Sequence, residues 1–81
     1  MILNRYFYGF KFTGFLFNKL EMQKAFPSRI LDLSGCIYAV ESEKKFTKLR
    51  VGDYVIRKYS EDFVTVLSKY NFEKYLSSIF K

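Results

Sequence analysis

The run "VGDYVIRKYSEDFVTVLSKYNFEKYL", residues 51–76, decides the fold of this 81-residue chain. Gly52-Asp53 is a turn signal, and the economical role of Gly52 is a positive φ angle that a side chain would resist. Residues 53–59 and 62–67 flank Ser60-Glu61 as the two arms of a β-hairpin. In the first arm Tyr54, Ile56 and Lys58 share one face and Val55, Arg57 and Tyr59 the other. Neither face is wholly polar, which is expected of a strand in contact on both sides. The hairpin leads into a helix, where Phe72, Tyr75, Leu76, Ile79 and Phe80 form one apolar stripe. Glu73, Lys74, Ser77, Ser78 and Lys81 cover the opposite side. Asn71 is the expected cap, and Glu73 near the start with Lys81 at the end suits the helix dipole.

Working outward, residues 36–41 and 46–49 flank "SEKK" (42–45) as a second hairpin, and 30–33 reads as an edge strand before a turn at Ser34-Gly35. Residues 6–13, "YFYGFKFT", alternate Tyr6, Tyr8, Phe10 and Phe12 against Phe7, Gly9, Lys11 and Thr13, the pattern of a half-buried strand. Gly9 marks a bulge or a close backbone approach. Between these lies a short helix predicted over 19–26. Asn18 is its N-cap, Glu21 sits at N3, and Phe17 and Met22 are placed to form a hydrophobic staple. Pro27 ends it by disfavouring helical geometry at Phe26. No repeat, linker or low-complexity run divides the chain, so one domain is expected over residues 1–81. The predicted fold class is α+β: a small antiparallel sheet of about five strands with two hairpins, one short helix and a C-terminal amphipathic helix laid across the sheet.

A domain this small buries only about 60–65% of the surface its unfolded chain exposes, so it needs help from a staple, a partner or an aromatic core. One cysteine makes no internal disulfide and there is no histidine to anchor zinc, whereas 10 Phe and 7 Tyr supply rings in excess of a small interior. Some of these rings are therefore expected at the surface, where aromatics serve partner interfaces. The single Cys36 suits a reducing, intracellular setting. The apolar start is broken by Arg5, Gly9, Lys11 and Gly14, which argues against a signal peptide or a spanning helix and for a soluble chain.

Most enzyme chemistry lacks its residues here. Without histidine, Ser-His and Cys-His nucleophile pairs cannot form, and the commonest acid–base group is missing. Cys36 lies inside a predicted strand and reads as an inert, buried thiol. Glu61-Asp62 falls at a hairpin tip, where carboxylates are solvated. Gly52 stands without the lysine or the spaced glycines of a phosphate-binding loop. The sequence therefore predicts no enzyme, cofactor or metal site.

Charge points to binding instead. The net charge is +6, and from residue 44 to 58 Lys44, Lys45, Lys48, Arg50, Arg57 and Lys58 face Asp53 alone. These six residues, with Tyr54 and Tyr59 as aromatic anchors, are the candidate partner-binding surface. A basic stretch with interleaved rings also suits single-stranded nucleic acid, although no nucleic-acid-binding motif accompanies it.

The runs "VGDYVIRKYSEDF" and "NFEKYL" resemble the ends of a group of small uncharacterised bacteriophage proteins. The match rests on Gly52, Asp53, Tyr54, Phe63, Phe72 and Glu73, and "YGFKFTG" with "FNKLEMQKAF" is similar to the group's opening strand and helix. Lys58 and Glu61 stand where the group carries turn glycines. The resemblance implies a phage accessory protein that inhibits or modulates a host factor in the cytoplasm of an infected bacterium. The implied target is a protein or ribonucleoprotein with an acidic surface, such as a CRISPR-type defence nuclease complex. A direct nucleic-acid binder and a self-associating structural protein that forms homo-oligomers are the rival expectations; a membrane partner is not expected.

Overall fold

The protein is described by a computed structural model covering residues 1–79. Its elements in chain order are β1 (Ile2–Leu3), β2 (Phe7–Lys11), α1 (Leu16–Ala25), β3 (Ile30–Leu33), β4 (Cys36–Ser42), β5 (Lys45–Lys48), β6 (Tyr54–Lys58), β7 (Thr65–Leu67) and α2 (Lys69–Ile79). The α+β class is as expected, but the strands number seven and divide into two antiparallel sheets, β1-β2-β6-β7 and β3-β4-β5. Both expected strand pairings are present, but the second arm of the later hairpin is only Thr65–Leu67, and residues 59–64 join it to β6 in place of the expected two-residue turn at Ser60-Glu61. In that hairpin Tyr54 pairs with Leu67 and Ile56 with Thr65.

The first sheet is covered on both faces, which explains the weak alternation of its strands. Phe10, Phe12 and Val55 point toward the second sheet and α1, where they join Met22, Phe26, Ile30, Ile37, Ala39, Leu49 and Val64 in the main core. Phe7 and Ile56 point the other way and meet Phe72 of α2, with Tyr54, Tyr75, Leu76 and Ile79 packed around them. Strand 6–13 is thus buried on both sides rather than one. Gly9 permits the close approach inferred for it. A Cβ there would fall against the Val55 carbonyl oxygen and 2.8 Å from Ile56 Cγ2.

Two-residue loops do the tight connecting. Ser34 and Gly35 both take left-handed φ angles, 54° and 83°, as a primed hairpin turn requires. Asp32 Oδ1 accepts from the Gly35 amide at 3.2 Å.

The helix starts differ from expectation. The first helix begins at Leu16, and Phe15 at its N-cap makes no side-chain capping bond. Asn18 lies inside the helix and reaches backward. Its Oδ1 accepts from Thr13 N at 2.9 Å, and its Nδ2 donates to Lys11 O at 2.9 Å. The expected staple is not made, because Phe17 is 79% exposed while Met22 is buried. Pro27 does follow the helix end. In α2 the cap is Ser68 rather than Asn71, since Ser68 Oγ accepts from the Asn71 amide at 3.2 Å. The stripe runs from Phe72 to Ile79 as expected; Phe80 and Lys81 lie outside the described residues. Among those residues, no helix is long and apolar enough to cross a membrane.

Glu41 joins the two sheets. From β4 its Oε1 accepts from the Val66 amide of β7 at 2.7 Å, and its Oε2 accepts from Thr47 Oγ1 and lies 3.3 Å from Lys45 Nζ. A carboxylate thereby satisfies the outer edge of β7, which would otherwise present an unpaired amide. Burial pushes the Glu41 carboxyl up, but the bonds from Thr47 and Val66 and the Lys45 ammonium outweigh it and hold the group below its ordinary value. Glu41→Ala should cost about 1 kcal/mol at pH 7, the low end for stranding polar groups, because the Val66 amide and Thr47 hydroxyl that it leaves unpaired are part-buried. A depressed carboxylate stabilises the fold fully above its unfolded pKa, roughly 4.3, and loses that contribution as pH falls through the folded value. The gap between wild type and variant should therefore narrow in thermal melts taken from pH 7 down to 3. An undiminished gap would mean that ionisation of Glu41 plays no part.

Candidate functional site

A cleft of about 460 Å³ opens between the N-terminal end of α1, the second sheet and the loop after β5. Buried Phe12, Ile37 and Leu49 form its inner wall, and Phe15, Leu16 and Val51 stand at its mouth. Two clasped loops set this mouth. Phe12 N donates to Asp53 O at 2.7 Å and Gly52 N to Phe12 O at 2.9 Å, which ties the turn at 50–53 to the end of β2. Within that turn the Arg50 amide donates to Asp53 Oδ2 at 2.9 Å, and Gly52 takes φ 99°, as its sequence context predicted. The bonds from Asn18 hold the other loop, so that Gly14 lies under Val51; a Cβ at Gly14 would come 3.2 Å from Val51 Cγ2.

The result is an unusually apolar exterior. Phe15 is 74% and Val51 73% exposed, and α1 carries Leu16, Phe17 and Leu20 outward beside them. Positions 16, 17 and 20 fall on one side of a helix. Contiguous apolar surface of this kind marks an interaction site in a folded protein.

Polar groups line one side of the cleft. Lys19 Nζ lies 2.8 Å from Asp32 Oδ2, and the bond from Lys19 holds the Asp32 carboxyl below its ordinary value. Lys48 completes that side, with exposed Arg50 next to Val51. Cys36 also lines the cleft, half-buried at the first position of β4. The expected fully buried thiol is thus corrected: Cys36 begins its strand at the hairpin turn, where one side is open.

The basic residues that are neighbours in sequence do not form one patch. Lys48 lines the cleft, and Arg50 stands in sequence between its lining residues Leu49 and Val51. Lys44 and Lys45 sit at the opposite end of β5, where Lys45 is taken up by Glu41. Alternation along β6 sends Arg57 and Lys58 to opposite faces of the first sheet. Lys58 lies over the Tyr75 ring of α2 at 5.6 Å and 3.9 Å from Glu61 Oε1. Tyr54 stacks on Phe72 with ring centroids 4.1 Å apart and planes 7° from parallel, so its ring serves the packing of α2. Tyr59 remains half exposed, with its ring 5.6 Å from that of Tyr8.

Arg57 stands in a separate pocket of about 270 Å³, shared with Tyr8, Phe26, Arg29 and Asp62. Its Nε donates to Tyr8 Oη at 2.6 Å and its Nη1 to Glu61 O at 2.9 Å. Sequence reasoning did not single out Arg29, because nothing around "PSRI" marks it; it precedes β3 of the second sheet, and only the packing of the two sheets brings it to the pocket of Arg57.

Scans of protein-family models, of curated proteins and of solved structures each returned no match to this chain.

Proposed function

We propose that the chain is a stoichiometric binding protein whose α1 cleft docks on an acidic, partly apolar surface of another protein. One observation carries this reading: Phe15, Leu16 and Val51 are exposed at a cleft that Lys48 also lines, with exposed Phe17 and Leu20 on the same helix and Arg50 next in sequence to Val51. Burying such side chains drives protein association, at roughly 25 cal/mol per Å² of apolar surface before the costs of binding. Lysine and arginine at the rim select an acidic partner and raise the rate of encounter. A second copy of this chain is disfavoured as the occupant, because each copy carries +6. A nucleic-acid strand would gain little from Leu16, Leu20 and Val51, which stack on no base.

The resemblance to phage proteins supports an accessory role against a host factor in the infected cell, with a defence nuclease complex as the target class. Capture from host lysate, with and without nuclease, tests the reading. Lys48→Glu with Arg50→Glu should weaken recovery of one specific protein by roughly tenfold at low salt, with nuclease making no difference. Recovery that is unchanged in the double variant, or that vanishes on nuclease treatment, overturns the reading.

A further inference from the structure

The second pocket contains an arrangement that the docking cleft does not use. We propose that Arg29 and Arg57 form a binding site for a terminal phosphate group, with the exposed ring of Tyr59 beside it to receive the base of a nucleotide. Both arginines are half-buried residues and line the same pocket. Each is fixed against a ring, Arg29 over Phe63 at 4.2 Å and Arg57 over Tyr8 at 4.9 Å. Each also donates to the loop between β6 and β7. Arg29 Nε reaches Asp62 O at 3.3 Å, and Arg57 Nη1 reaches Glu61 O at 2.9 Å.

These acceptors are all neutral. Among the described residues no carboxylate forms an ion pair with either arginine, although Asp62 lines the pocket and offers only its main-chain oxygen. Both terminal nitrogens of Arg29 and the Nη2 of Arg57 are left without a partner among those residues. Two arginines that line one pocket, neither of them in an ion pair among the described residues, match a dianion, and planar guanidinium forks match phosphate oxygens in particular. A phosphate monoester carries close to two negative charges at neutral pH, whereas a carboxylate or a phosphodiester carries one. Tyr59 is half exposed against Tyr8, the ring that already supports Arg57, so a base stacked on it would keep its phosphate near the pocket.

Amide chemical shifts of the isotope-labelled protein, titrated with inorganic phosphate, adenosine monophosphate and adenosine at constant ionic strength set by sodium chloride, test the site. Saturable shifts at residues 29, 57 and 62 are expected with phosphate and the monophosphate, and none there with adenosine. Tighter binding of the monophosphate identifies a nucleotide as the source, and equal affinity identifies free phosphate; either result upholds the site. Arg29→Lys keeps the charge but loses the fork, and should weaken binding by about tenfold with little change in melting temperature. Non-saturating shifts, equal binding of adenosine, or full affinity in Arg29→Lys would each overturn the assignment.

Discussion

Phe7→Ala is expected to cost about 3–5 kcal/mol, the range for removing a fully buried aromatic side chain. Phe7 is completely buried and is the first sheet's main anchor for α2. Its ring meets Phe72 edge-on at 5.9 Å and Tyr75 at 5.4 Å. No other element takes over those contacts, because the core on the opposite face belongs to α1 and the second sheet. A chain of 81 residues has a total stability of roughly 4–12 kcal/mol at 0.05–0.15 kcal/mol per residue. The substitution therefore removes a large share of the whole. Denaturant titration should show the loss, and limited proteolysis should cut first within residues 69–79. Phe7→Leu should recover part of the stability, since it refills most of the cavity. A loss below about 1 kcal/mol would mean that α2 is not anchored through Phe7.

Gly9→Ala should destabilise by about 3 kcal/mol, at the upper end for forcing one carbon into a packed interior. Most substitutions of this kind relax by turning a side chain. Here the nearest atoms are the Val55 carbonyl oxygen and the Cα and Cγ2 of Ile56, and backbone cannot move aside without separating β2 from β6. Gly9 pairs with Ile56 on one side and Ile2 on the other, so the disturbance spreads through three strands. Thermal melting should fall sharply, whereas Gly35→Asn, at an open turn where a Cβ would meet nothing and only the left-handed φ of 83° is resisted, should cost about 1 kcal/mol. Equal effects at the two positions would contradict the close packing at Gly9.

Much of this architecture was legible in the sequence, because period-two strands, turn glycines and the α2 stripe are local signals. Residues 53–67 show this best: their partial alternation implies contacts on both faces, and α2 and the second sheet supply them. The start of α1 was not legible. Asn18 has the chemistry of a cap, but its amide closes bonds to Thr13 and Lys11, and only the folded loop offers those partners. The candidate surface was misread for a related reason. Charges clustered between 44 and 58 look like one patch in a linear sequence, yet a strand throws successive side chains to opposite faces. Arg57 and Lys58 are separated by the sheet itself, and Tyr54 is held by Phe72. The surplus of rings did imply an exposed apolar surface. Its location at Phe15 and Phe17 is hidden in the sequence, because the spacing of Phe17 and Met22 suits a staple that does not form.

Hydrogen exchange on the purified complex with the captured partner tests the docking surface most directly. Amides of residues 14–20 and 48–52 should gain protection on binding, while those of α2 and of the hairpin tip at 42–45 stay unchanged. Protection confined to α2 or to that tip, with 14–20 unaffected, would contradict docking through the cleft.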